Sequence, residues 1–145
     1  MKFLLTSWQA WALLSAAFAA LTAIFAKVGI ENVNSDFATF IRTIVILLAI
    51  AIMLMLTGAW QPPSSISGKS WLFLVLSGLA TGASWLCYFR ALKIGNAAQV
   101  APVDKLSVVL VAVFAFLFLG ERLSPAHWGA VAMIACGAVL LALKV

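Results

Sequence analysis

Acidic residues are almost missing from this chain: Glu31, Asp36, Asp104 and Glu121 are all it has. Histidine occurs once, at His127, and cysteine twice, at Cys87 and Cys136. One histidine is too few for a His-based metal site or a catalytic triad within a single chain, and no carboxylate pair is spaced for acid–base work. Both cysteines lie in apolar runs without CxxC spacing. They read as small hydrophobic residues rather than as a disulfide or a metal site. No glycine-rich phosphate loop occurs either. These shortages point away from an enzyme and away from any cofactor.

Charge as a whole is scarce. Charged residues make up 9% of the chain and hydrophobic ones 66%, against about a quarter and about half in an average soluble domain. A soluble fold of 145 residues cannot hide so much apolar surface, so the expected surroundings are a lipid bilayer. The net charge of +5 then reflects lysines and arginines flanking membrane spans, and no nucleic-acid partner is expected.

What the chain has in abundance is long apolar runs. Five can be read, at residues 8–30, 37–57, 71–94, 97–119 and 126–143, each near the roughly 20 residues that a bilayer core demands. The expected fold is all-α, an integral membrane bundle of five helices in one transmembrane domain covering 1–145. Turn chemistry separates the runs. Asn32, Asn34, Ser35 and Asp36 can cap the second helix, and Pro62-Pro63 with Ser64-Ser65 make the longest loop. Gly95-Asn96 predicts a left-handed end to the third helix, Gly120 ends the fourth, and Ser124-Pro125 starts the fifth. The start, MKFLLTSWQAWALLSAAFA, mimics a signal peptide. Its apolar run continues through Phe25, however, and reads as a full span.

With five spans the two termini fall on opposite sides. Lys2, Lys69 and Arg122 belong to the N-terminal side, and Lys27, Arg42, Arg90, Lys93 and Lys144 to the other. The positive-inside rule therefore favours an outside N-terminus and an inside C-terminus in the cell's inner membrane. The margin is narrow enough to leave insertion in both orientations open. Trp8, Trp11, Trp60, Trp71 and Trp128 mark the N-terminal side as interfacial anchors. Trp85 lies deeper, near Tyr88, and these two either line a polar cavity or pack. Small residues recur at packing intervals on three helices: Ala12, Ala16 and Ala20; Gly78 and Gly82; Gly129, Ala130, Ala138 and Ala142. The second helix has almost none and is expected to face lipid.

One end of the bundle gathers ionisable groups. Lys27 is near the end of the first helix, Arg42 inside the second, Arg90 near the end of the third, and Asp104-Lys105 early in the fourth. At 1.5 Å per residue, Asp104 is about 10 Å from Ala97 along the axis, and Arg42 and Arg90 are about 6–8 Å inside their own ends. Two readings stand. The cations can snorkel to the headgroups while a helix starting at Pro102 keeps Asp104 in its first turn. Alternatively the helix continues through Pro102 with a kink. Asp104 then pairs with Arg42 or Arg90, and Lys105 faces a substrate pathway. The excess of cations leans weakly towards anionic or zwitterionic cargo. Asp104 is the one acid placed within a span, so proton coupling has few candidates.

From Tyr88 to Ser124 the chain reads YFRALKIGNAAQVAPVDKLSVVLVAVFAFLFLGERLS, followed by GAVAMIACGAVLL. The aromatic pair, Arg-Ala-Leu, the short glycine turn, the Ala-Pro helix start and the closing Gly-Glu-Arg resemble the EamA domain of the drug/metabolite transporter superfamily, and in particular its short five-helix branch. Two departures are evident. Typical members carry two five-helix copies, and many have proline after the serine of the fourth helix, where Val108 follows Ser107 here. The resemblance implies two repeats of opposite orientation around a substrate cavity, which one copy reaches only as an antiparallel homodimer, with a parallel dimer or larger assembly as the competing arrangement. Glu121 and Arg122 carry the Gly-Glu-Arg likeness, though their position also suits a structural role in a loop. The expected function is transport of small polar metabolites by a homo-oligomer through alternating access. The pathway residues expected first are Arg42, Asp104 and Lys105, with Arg90, Trp85, Tyr88 and Lys27 behind them. A non-transporting membrane subunit of a larger complex is the alternative.

Overall fold

The computed structural model describes residues 7–143 and contains helices and turns but no strand among them. Helix α1 runs over Trp8–Gly29, α2 over Ser35–Thr57 and α3 over Gly68–Ile94. The fourth span is divided into α4 (Ala97–Asp104), α5 (Leu106–Phe114) and a π turn over Ala115–Leu119. Helix α6 covers Pro125–Ala142. Five segments are thus long and apolar enough to cross a membrane: α1, α2, α3, the composite Ala97–Leu119, and α6. The protein is an all-α, multi-pass membrane protein.

Local chemistry sets the helix ends. Asn34 caps α2, its side-chain oxygen accepting from the amides of Asp36 at 2.9 Å and Phe37 at 3.2 Å. Helix α3 starts at Gly68, before its apolar run, because Ser67 Oγ accepts the Ser70 amide at 3.1 Å. Hydrophobic patterning alone misses that polar first turn. Ser124 caps α6, accepting from the His127 amide at 3.3 Å, with Pro125 at the first helical position.

Glycine ends two helices in the left-handed region, Gly58 after α2 (φ 64°) and Gly120 after the π turn (φ 67°). The expected left-handed turn at Gly95 does not form, since Gly58 and Gly120 are the positive-φ glycines among the described residues. Asn96 there is extended (φ −76°, ψ 137°) and opens α4 instead of closing α3. A strand-like residue suffices to start a new helix, and no left-handed residue is then needed.

Contacts divide the chain into two compact units. A hairpin unit, Ala26–Lys93, holds the end of α1, α2 and nearly all of α3. A split-helix unit holds the chain up to Phe25 and from Ile94 onward. In the hairpin unit Ile30, Thr39, Phe89 and Leu92 are buried. They lie where α1 ends, α2 begins and α3 ends. In the split-helix unit Ala23 and Ala138 are buried, and α6 packs on both α4 and α5. The small-residue faces are used unevenly. Ala138 is covered, but a side chain added at Gly78, Gly82, Gly129 or Gly137 meets no described atom within 4 Å.

Candidate functional site

In the hairpin unit, three connections join the ionisable groups expected near one membrane surface. Arg90 of α3 grips Asp36 of α2 through both oxygens, with Nε–Oδ1 at 2.9 Å and Nη2–Oδ2 at 2.7 Å. This planar fork is the geometry arginine makes with a carboxylate and lysine cannot. Lys27 of α1 donates to the Leu92 carbonyl of α3 at 2.6 Å. Lys93 of α3 returns the favour, donating to the carbonyls of Ile30, of Glu31 at 2.7 Å and of Val33 at 3.1 Å. Each lysine therefore neutralises carbonyls at the other helix's C-terminal end, where the backbone has acceptors to spare and the dipole favours a cation. A cavity of about 380 Å³ lies beside this clamp, lined by Lys27, Val28, Ile30, Glu31, Leu92 and Lys93.

Arg42 is held differently. Its guanidinium carbon sits 4.1 Å from the Trp85 ring centroid and 5.3 Å from that of Phe89. Trp85 and Phe89 are four residues apart, so α3 presents both rings on one face. Phe89 is buried, and Tyr88 meets it edge-on at 6.4 Å. A cation over a ring face is worth about 0.5–1 kcal/mol at an exposed site and about 2 kcal/mol when desolvated, and Arg42 is half-buried, about two turns inside α2. The rings offset part of the cost of a charge inside a span but accept none of the five in-plane N–H groups.

The split-helix unit carries the other two expected residues. Asp104 and Lys105 pair with one another at 3.2 Å. Adjacent residues on a regular helix diverge by about 100°, and the pair closes because the helix is interrupted there. Lys105 has ψ −4°, and its amide is shared between the carbonyls of Ala101 at 3.3 Å and Pro102 at 3.1 Å. The Val108 amide then reaches only as far as the Lys105 carbonyl, at 3.0 Å. Pro102 lies inside α4, and the break falls one turn after it. Further on, the amides of Gly120 and Glu121 both fold back to the Ala115 carbonyl, closing the π turn. Glu121 and Arg122 are exposed in the connection to α6.

Of the ionisable residues expected at one end, Lys27, Arg42 and Arg90 belong to the hairpin unit, where Arg42 meets Trp85 and Tyr88 meets Phe89, while Asp104 and Lys105 belong to the split-helix unit. The reading that paired Asp104 with Arg42 or Arg90 is not the arrangement found. Arg90 pairs with Asp36, Arg42 lies on aromatic rings, and the partner of Asp104 is Lys105. Asp36 and Phe89 were missed as site residues. Asp36 had been given a capping role, although Asn34 performs it, and an acid freed from capping at the same end as Arg90 was the available signal. The i, i+4 spacing of Trp85 and Phe89 was the signal for the ring pair. Lys2 and Lys144, counted for orientation, lie outside the described residues.

The family model described as the EamA-like transporter family matches residues 6–143. The chain is 69% identical over 136 residues to a Sinorhizobium protein described as "Uncharacterized transporter in cobO 3'region", covering 94% of this chain and 96% of that one. No solved structure matches.

Proposed function

This chain belongs to the EamA-like transporter family, and from that premise we propose that it carries small polar metabolites across the cell's inner membrane by alternating access, as an antiparallel homodimer. The observation that carries the reading is Arg42: an ionisable residue inside a span, held on Trp85 and Phe89 with its donors unspent. Ionisable groups in spans mark substrate or ion routes by default. Arg42, Asp104 and Lys105 are the pathway residues, with Trp85 and Tyr88 beside Arg42. Arg90 and Lys27 border the route and hold its frame through Asp36 and Leu92.

The dimer reading is supported by arithmetic and by surface. A second copy in the opposite orientation supplies the inverted repeat that five helices lack. The open faces at Gly78, Gly82, Gly129 and Gly137 allow a close backbone approach by such a copy. Inner-membrane insertion with the C-terminus inside is favoured, by a charge margin small enough to permit both orientations.

The test is uptake by liposomes containing the purified chain alone, using a panel of amino acids and small organic acids. Saturable flux of at least one compound is expected, lowered about tenfold or more by Arg42→Ala. No flux for any compound, together with co-purification of a different membrane chain, would make the protein a subunit of a larger complex.

A further inference from the structure

Of the cations at this end of the hairpin unit, Lys27, Lys93 and Arg90 each have chain acceptors within hydrogen-bond distance. Arg42 is the exception among them. It lies on the faces of Trp85 and Phe89, the Tyr88 side chain acts on it electrostatically, and no hydrogen bond from its N–H groups is found among the described residues. No fully buried side-chain nitrogen or oxygen among the described residues lacks a partner, so the donors of Arg42 are not sealed inside the protein. The Trp85 ring, 4.1 Å from the guanidinium carbon, covers one side of the group and accepts none of its in-plane donors. A guanidinium fork held against a ring and free of chain acceptors matches a planar acceptor with two oxygens.

We propose that Arg42, stacked on Trp85 and Phe89, is the binding group for the carboxylate of a small organic monoanion or zwitterion. This deepens the transport reading and rests on it for the word cargo, but not for the binding itself. A single charge suits the site. A dianion such as a phosphate monoester needs a second uncommitted cation, and here Arg90 is spent on Asp36 and Lys93 on carbonyls. An uncharged amide offers one neutral carbonyl and gains far less from the fork than a carboxylate, and a cation is repelled.

The test places the full chain in phosphatidylcholine nanodiscs and follows its thermal midpoint against benzoate, with benzamide as the uncharged compound of the same shape. Benzoate is expected to raise the midpoint saturably and benzamide to raise it several-fold less at the same concentration. Arg42→Lys keeps the charge and loses the fork, and should weaken the benzoate effect about tenfold or more. Trp85→Leu keeps the guanidinium but removes the ring that lies 4.1 Å from it, and should weaken the effect several-fold. Because Trp85→Leu leaves the charge in place, it reads the site even where Arg42→Lys fails to fold. Equal responses to benzoate and benzamide, or an unaltered benzoate response in Trp85→Leu, would overturn the proposal. So would abolition of the response in phosphatidylglycerol nanodiscs, which would assign the fork to a lipid phosphodiester. Benzoate binding without flux of any compound would leave this site standing and remove the transport reading. Flux without benzoate binding would do the reverse.

Discussion

The two units of the chain handle charge in opposite ways. In the hairpin unit the ionisable groups reach across helices: Arg90 to Asp36, Lys27 to Leu92, Lys93 to the end of α1, and Arg42 to the rings of α3. In the split-helix unit the ion pair links Asp104 to its own neighbour in sequence, Lys105. The backbone differs in the same sense. Helices α2 and α3 run unbroken through 23 and 27 residues, whereas the span from Ala97 to Leu119 is interrupted at Lys105 and ends in a π turn. Cross-helix contacts make one part of the molecule a braced frame. A proline, a tightened turn and a π turn make the other a place where backbone can rearrange, since such irregularities gather at functional hinges.

The lysine clamp gives that contrast its largest consequence. Lys93→Met removes the donor from three carbonyls at once, and should lower the stability of the purified protein by about 3 kcal/mol, the upper end for bonds to a charged group. Asp104→Asn, by comparison, should stay within about 0.5 kcal/mol. Equal losses in thermal unfolding would erase the distinction between the two units.

The second consequence concerns the fork between α2 and α3. Asp36→Arg alone puts two arginines face to face and should destabilise the hairpin unit. The exchange Asp36→Arg with Arg90→Asp should recover most of the loss. A double exchange no more stable than the single change, measured by the same unfolding assay, would show that the pair contributes little across the helices.

Lys105 sharpens the comparison from the other side. Its pair with Asp104 spans no helix interface, so Lys105→Ala should leave unfolding within about 0.5 kcal/mol while lowering flux about tenfold. Unaltered flux would remove Lys105 from the mechanism and leave Arg42 as the pathway cation.

A loss smaller than that of the Lys93 clamp is shared by both units. Gly58 and Gly120 each hold a left-handed backbone, so alanine at either should cost about 1–2 kcal/mol, less than loss of the Lys93 clamp. Gly95→Ala should cost no more than about 0.5 kcal/mol, because the backbone there is not left-handed. A matching loss at Gly95 would contradict the way α3 ends.

These contrasts also show what could be read in advance. The five spans, the cap at Ser124 and the glycine at 120 were legible, because apolar run length and capping chemistry act within a few residues of chain. Pairing was not legible. Which carboxylate Arg90 meets depends on the rotation of α2 against α3, and a polar first turn such as Gly68–Trp71 is invisible to hydrophobic periodicity. The Asp104–Lys105 contact needed the interruption at Lys105, which a regular helix would not have produced. Arg42 was legible as an intramembrane charge, but its platform appeared only once Trp85 and Phe89 were set on one face.

The central claim is that one chain supplies both halves of an inverted transporter, and membrane orientation tests it most directly. Cys87 and Cys136 are replaced by serine, single cysteines are placed near either terminus, and intact cells are treated with an impermeant thiol reagent. The account predicts labelling of a fixed fraction of molecules at both ends, as an antiparallel homodimer requires. Labelling confined to the N-terminal site would mean a single orientation, and would contradict it.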